Sequence, residues 1–173
     1  MENKAYLDIC KSLSLTARLG IALRLFEKYC NVTGINEDSI DEFLDYLWIW
    51  PLVSSGEFEF SAWENKRPQL VNFGLGDPLS NSFLLSLNNA NIEETDFRKI
   101  VSPIVEILWG SFWGEAEDEL SLNCLSELIQ RITPNSLPAL TPFKISKFKD
   151  NNGWGNSLTN EDIAFWRTFR ERT

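Results

Sequence analysis

Between Ser14 and Cys30 the chain reads SLTARLGIALRLFEKYC, and the apolar residues Leu15, Leu19, Ala22, Leu23 and Phe26 recur at steps of three and four. One face of a helix has that spacing, so the segment predicts an amphipathic helix. Thr33 and Gly34 predict its end, with glycine as a left-handed cap. Tyr6, Leu7 and Ile9 predict a shorter helical turn before it. In residues 36–49, Ser39 and Glu42 have the spacing of a capping box, and Ile40, Phe43, Leu44, Leu47 and Trp48 form an apolar stripe. Pro51 stops that helix.

Residues 51–76 lose the helical period. Phe58 and Phe60 alternate with Glu57 and Glu59, which allows at most a minor β-hairpin around 57–63. Gly74 and Gly76 predict a loop. Asp77 and Pro78 have the order of an N-cap and a first helical residue, for a helix reaching about Leu87. Thr95 or Asp96 caps the next helix, whose stripe runs Phe97, Ile100, Val101, Ile104, Val105, Leu108 and Trp109, with Pro103 inside it as a kink or a true first turn. After a break from Gly110 to Gly114, Glu115 to Ile132 resumes as a helix with Leu122, Leu125, Leu128, Ile129 and Ile132 inward. Pro134, Pro138, Pro142 and the run NNGWG at 151–155 predict loops, with Trp154 packed. Thr159 caps a last helix carrying Ile163, Trp166 and Phe169. The sum is an all-α bundle of six or seven helices in a single domain spanning 1–173, without a repeat.

Composition sharpens this picture. The chain has 173 residues, 43% of them apolar, with 7 Trp, 12 Phe and 3 Tyr. Aromatic side chains bury roughly 150–250 Å² each, so a filled interior with rings to spare is expected. No apolar run approaches the ~20 residues that cross a bilayer, and the start, MENKAYLDICKSLS, lacks the pattern of a signal peptide. Cys10, Cys30 and Cys124 show no CxxC spacing, which predicts buried, reduced thiols and a cytoplasmic protein.

The net charge is −9, which disfavours phosphate backbones and suits a basic protein partner. The charge is also uneven. No base lies between Lys28 and Lys66, where there are eight acids, whereas Arg131 to Thr173 holds seven bases and four acids, a balance of +3. Asp38, Asp41, Glu42 and Asp45 fall off the apolar stripe of their helix and predict an acidic ridge. A second acidic cluster, Glu115, Glu117, Asp118 and Glu119, follows WGSFWG. Acids in a first helical turn are accounted for by the helix dipole alone, at ~0.3–1 kcal/mol each. That account covers Glu115 to Asp118 better than it covers Glu119.

There are no histidines. That removes Ser-His-Asp and Cys-His catalysis and HExxH metal sites. A carboxylate-based Mg²⁺ enzyme remains open because a hard cation takes oxygen ligands, but no catalytic motif, cofactor site or metal-ligand spacing stands out. GLGD at 74–77 lacks the βαβ context of a dinucleotide loop. KISKFKD at 144–150 reads as a solvated loop or an intramolecular match to the acidic ridge. Each acidic cluster adjoins tryptophans, and tight interfaces combine aromatic anchors with complementary charge. Trp50 and Trp113, at helix ends, are the ones expected to be partly exposed. The candidate partner-binding set is therefore Asp38, Asp41, Glu42, Asp45, Trp50, Trp113, Glu115, Glu117, Asp118 and Glu119.

The acidic helix SIDEFLDYLWIW, the cluster GEAEDELS, the absence of a triad and the Trp-rich helical body together resemble the small cytoplasmic immunity proteins of bacterial polymorphic-toxin and contact-dependent growth inhibition systems. The resemblance lies in the overall profile, with no family motif. It implies binding to a basic toxin domain, often a nuclease, and a block of its active site or of substrate approach, with acids standing in for phosphates. The alternative is a helical adaptor or regulatory domain that docks a basic peptide or protein.

Overall fold

The computed structural model describes residues 2–113, 116–132 and 137–169. Ten α-helical segments run through them: α1 (Glu2–Cys10), α2 (Leu15–Thr33), α3 (Asp38–Trp48), α4 (Trp50–Ser54), α5 (Phe60–Glu64), α6 (Gln69–Gly74), α7 (Asn81–Asn89), α8 (Glu94–Trp109), α9 (Asp118–Arg131) and α10 (Asn160–Thr168). Two 3-10 segments, Thr141–Ile145 and Asn151–Gly153, lie between α9 and α10. The fold is all-α. Among the described residues the β-like pairing is a single antiparallel bridge between Leu13 and Lys147.

The first three turns of α2 are buried on nearly every side, Arg24 excepted. Ser14 caps it, its hydroxyl accepting the Ala17 N–H at 3.0 Å. Gly34 closes it in the left-handed region (φ 75°). Gly20 brings neighbours close: a Cβ there would stand 2.9 Å from the Phe143 ring and 3.2 Å from Trp166. α8 and α9 pack against α2 and against each other, α6 lies on α8, α3 meets α2 and α6, and α1 lies along α9. Phe97 of α8 sits among Phe26, Phe73 and Phe83 at centroid distances of 6.2, 5.9 and 5.3 Å.

Several starts and stops depart from the periodicity. α3 begins at Asp38 without a side-chain cap, and the Ser39 hydroxyl instead accepts from the Gln69 amide at 3.3 Å, so no capping box forms there. α7 starts at Asn81, capped by Ser80 rather than Asp77, and α8 starts at Glu94 and runs unbroken through Pro103. At the last helix Thr159 and Asp162 do form the reciprocal box, at 3.1 and 2.9 Å. The stretch 57–63, where alternation allowed a hairpin, is a turn followed by α5. The Glu59 carboxylate accepts the Ser61 and Ala62 N–H groups at 3.0 and 2.7 Å, and Trp63 is buried with its indole N–H on the Tyr46 carbonyl at 3.0 Å. Capping and one large buried ring outweigh a weak period of two.

A cation sits inside this interior. Arg18 is 0% exposed. Its guanidinium donates to the Cys10 carbonyl (3.1 Å), the Lys11 carbonyl (3.0 Å), the Asp118 carbonyl (3.1 Å) and the Ser121 hydroxyl (2.7 Å). It pairs with the Asp118 carboxylate at 2.7 Å and stands 4.8 Å from the centre of the Phe148 ring. Burial lowers its pKa, and the Asp118 hydrogen bond and charge oppose that. Removing the side chain (Arg18→Ala) leaves a cavity and a ring of acceptors without a donor. A loss of about 3–5 kcal/mol in unfolding free energy is expected by urea denaturation. Asp118→Asn is expected to cost about 1 kcal/mol or less, because Asp118 is half exposed. Equal losses would show that the ion pair, not the carbonyl cage, holds Arg18.

Candidate functional site

Helix α3 divides cleanly into two faces. Ile40, Phe43, Leu44, Tyr46, Leu47 and Trp48 are buried, with Phe43 edge-on to Phe26 at 5.2 Å. Asp38, Asp41, Glu42 and Asp45 are all exposed. Steps of three and four put them on one side, with Cβ atoms ~5–6 Å apart. Asp45 pairs with Arg167 of α10, whereas Asp38, Asp41 and Glu42 form no ion pair among the described residues. Glu37, just before the helix, accepts from the Ser86 hydroxyl. Between α2 and α3 a small cleft of about 120 Å³ is edged by Glu27, Glu37 and Asp41 over the buried Cys30.

The second cluster is arranged differently. Glu117 precedes α9, and its backbone N–H donates to the buried Ser111 hydroxyl at 3.0 Å. Asp118 is committed to Arg18. Glu119 is exposed in the first turn and, with Asp118, edges a groove of about 670 Å³ between α1 and α9. Glu115 lies outside the described residues. The two clusters are not one surface. Asp118 meets α2 at Arg18, whereas Asp41 lines the cleft over Cys30. Twelve residues of helix, about 18 Å at 1.5 Å per residue, separate those points on α2.

The two tryptophans expected at the surface part company. Trp113 is 93% exposed. Trp50 is 4% exposed, a correction to its place in the partner-binding set. α4 begins at Trp50 and turns its ring inward, against Trp63, Phe112 and Trp154 at 5.3, 5.2 and 5.1 Å. Tyr46 stacks on Trp63 at 4.5 Å, and Trp109 lies 5.0 Å from Phe112. This aromatic cluster gathers rings from four separate stretches of chain. The Trp50 indole N–H and the Tyr46 hydroxyl are buried inside it without a hydrogen-bond partner among the described residues.

Burial pushes the thiols of Cys10, Cys30 and Cys124 up to about 12; at Cys30 the charges of Glu27 and Asp41 add to it. No group of three His, Cys, Asp or Glu side chains that could hold a metal ion occurs among the described residues. None of the described helices is long and apolar enough to cross a membrane. Among the described residues the candidate site comprises an acidic helix face on which Asp38, Asp41 and Glu42 form no ion pair, and the exposed indole of Trp113. No protein family, no curated protein and no solved structure matches the chain.

Two outcomes follow. Trp50→Ala is expected to cost about 3–5 kcal/mol and Trp113→Ala to stay within about 0.5 kcal/mol, both by denaturant titration. Above pH 9.0 the unfolded chain releases thiol protons that the folded chain keeps until about 12. The unfolded state then binds fewer protons, so stability falls as pH rises across that window. Denaturant midpoints measured from pH 8 upward should decline for the natural chain and decline less for a Cys30→Ala/Cys124→Ala variant.

Proposed function

We propose that the chain is a protein-binding module that acts by occupancy rather than turnover, and that the acidic face of α3 captures a basic protein surface. The observation that supports this most is the exposure of Asp38, Asp41 and Glu42, which form no ion pair among the described residues, on a helix whose apolar face is fully used inside the protein. Local folding asks only for acids near the helix start, where Asp38 and Asp41 suit the dipole. Glu42 and Asp45 lie beyond that turn. Crowding four carboxylates on one side raises a negative potential that steers a cationic partner and speeds encounter.

The α9 cluster is secondary in this reading, since Asp118 already serves Arg18. Trp113, with Glu117 and Glu119 a few residues on, supplies an aromatic anchor at a second contact. The resemblance of the profile to immunity proteins supports a basic toxin domain as the partner, neutralised in the bacterial cytoplasm by cover of its active site or of its substrate's approach. A helical adaptor docking a basic peptide would use the same face, and a toxin encoded beside this chain separates the two.

Titration calorimetry with that neighbouring toxin domain is the direct test. Asp38→Lys/Asp41→Lys/Glu42→Lys is expected to weaken binding at least about a hundredfold, near 2.7 kcal/mol, and Trp113→Ala about tenfold. Affinity should fall as salt rises. Binding that survives the triple charge reversal unchanged would refute the role of α3.

A further inference from the structure

The lysine-rich segment 144–150 makes no ion pair with the acidic helix among the described residues. It pairs instead with the link between α1 and α2. The Ser14 N–H donates to the Ser146 carbonyl and the Phe148 N–H to the Ser12 carbonyl, each at 3.0 Å. The hydroxyls of Ser14 and Ser146 meet at 2.7 Å in the interior, and Gly155 packs so closely on both serines that no Cβ would fit. This clamp brings Lys11, at the end of α1, to Lys144, Lys147 and Lys149 around a groove of about 700 Å³ floored by the half-buried Phe148, with Leu13 buried beneath.

Half of the chain's eight lysines thus line one groove of a protein whose net charge is −9. Asp8 holds Lys11 at 2.7 Å, and Lys144, Lys147 and Lys149 form no ion pair among the described residues. Four exposed ammonium groups around one groove attract an anion. Lysine ammonium groups are compact point charges that bind phosphoryl oxygens. The apolar floor accepts an uncharged body, and the volume lies within the ~300–1,000 Å³ of small-molecule sites. Lys11 also edges the neighbouring groove with Asp8, Asp118 and Glu119, so a long polyanion would run onto acids there, whereas a small ligand stays among the lysines.

We propose that this groove binds a small phosphate-bearing molecule of the nucleotide class, its phosphates among Lys144, Lys147 and Lys149 and its apolar body on the half-buried ring of Phe148. The site is independent of the protein-docking reading, since it shares no residue with α3.

Titration calorimetry of the full chain at low salt, with adenosine triphosphate, inorganic pyrophosphate, adenosine and a single-stranded oligonucleotide as probes, tests it. The triphosphate is expected to bind, pyrophosphate more weakly, and adenosine not measurably. Lys147→Glu/Lys149→Glu should weaken the triphosphate about tenfold or more with an unchanged melting temperature, and Lys144→Gln/Lys147→Gln, which removes charge without reversing it, should weaken it less. Absence of triphosphate binding, equal binding by either variant, pyrophosphate binding as tightly as the triphosphate, or binding of the oligonucleotide alone would each overturn the proposal.

Discussion

One buried guanidinium organises the molecule. Taking a charge out of water costs several kcal/mol unless hydrogen bonds and an opposite charge replace the lost solvation. At Arg18 the replacement comes from the last turn of α1, the first turn of α9 and the residue that leads out of α1. The helix ends that supply those carbonyls cannot drift without stranding the cation. Phe148 is held against the same guanidinium, and Asp118 is turned toward it. The floor of the lysine groove and Asp118 of the second acidic cluster are therefore both referred to one interior atom group. α3 lies outside this arrangement and depends instead on the contact of Phe43 with Phe26 further along α2.

The architecture was legible wherever a helix was long. Six of the seven helices of nine or more residues carry a readable stripe; α1 reads only as a short turn, and its Ile9 is exposed, while the three helices of five or six residues in 50–74 show no stripe. Too few residues fall in those short helices for a period of 3.6 to declare itself. Cap positions were less legible, because side chains choose among partners that lie far along the chain, as Ser39 chooses Gln69. Arg18 itself left a trace. It sits three residues after Leu15 and four before Ala22, on the apolar stripe of α2. A cation in the middle of a buried face calls for a ring of acceptors.

The site was half legible for the same reason. The acids of α3 fall opposite a clean apolar stripe, so their exposure follows from helix geometry. Trp50 and Trp113 look alike in sequence, each at a helix boundary. Their fates diverge because α4 folds Trp50 back onto Trp63, whereas Trp113 lies in the turn between α8 and α9. The lysines of 144–150 gain meaning only through pairing with residues more than a hundred positions earlier, which no local pattern encodes.

The contrast between the two indoles also makes the protein its own optical reporter. Trp50, Trp63, Trp109 and Trp154 lie in a chain of rings with neighbouring centroids 5.0–5.6 Å apart, close enough for their excited states to couple and for energy to pass among them. Trp113 stands apart in water, so its emission lies furthest to the red and is the first reached by a dissolved quencher. Light from one molecule thus carries two separable signals, a buried band that tracks integrity of the interior and a solvent band that tracks whatever covers residue 113.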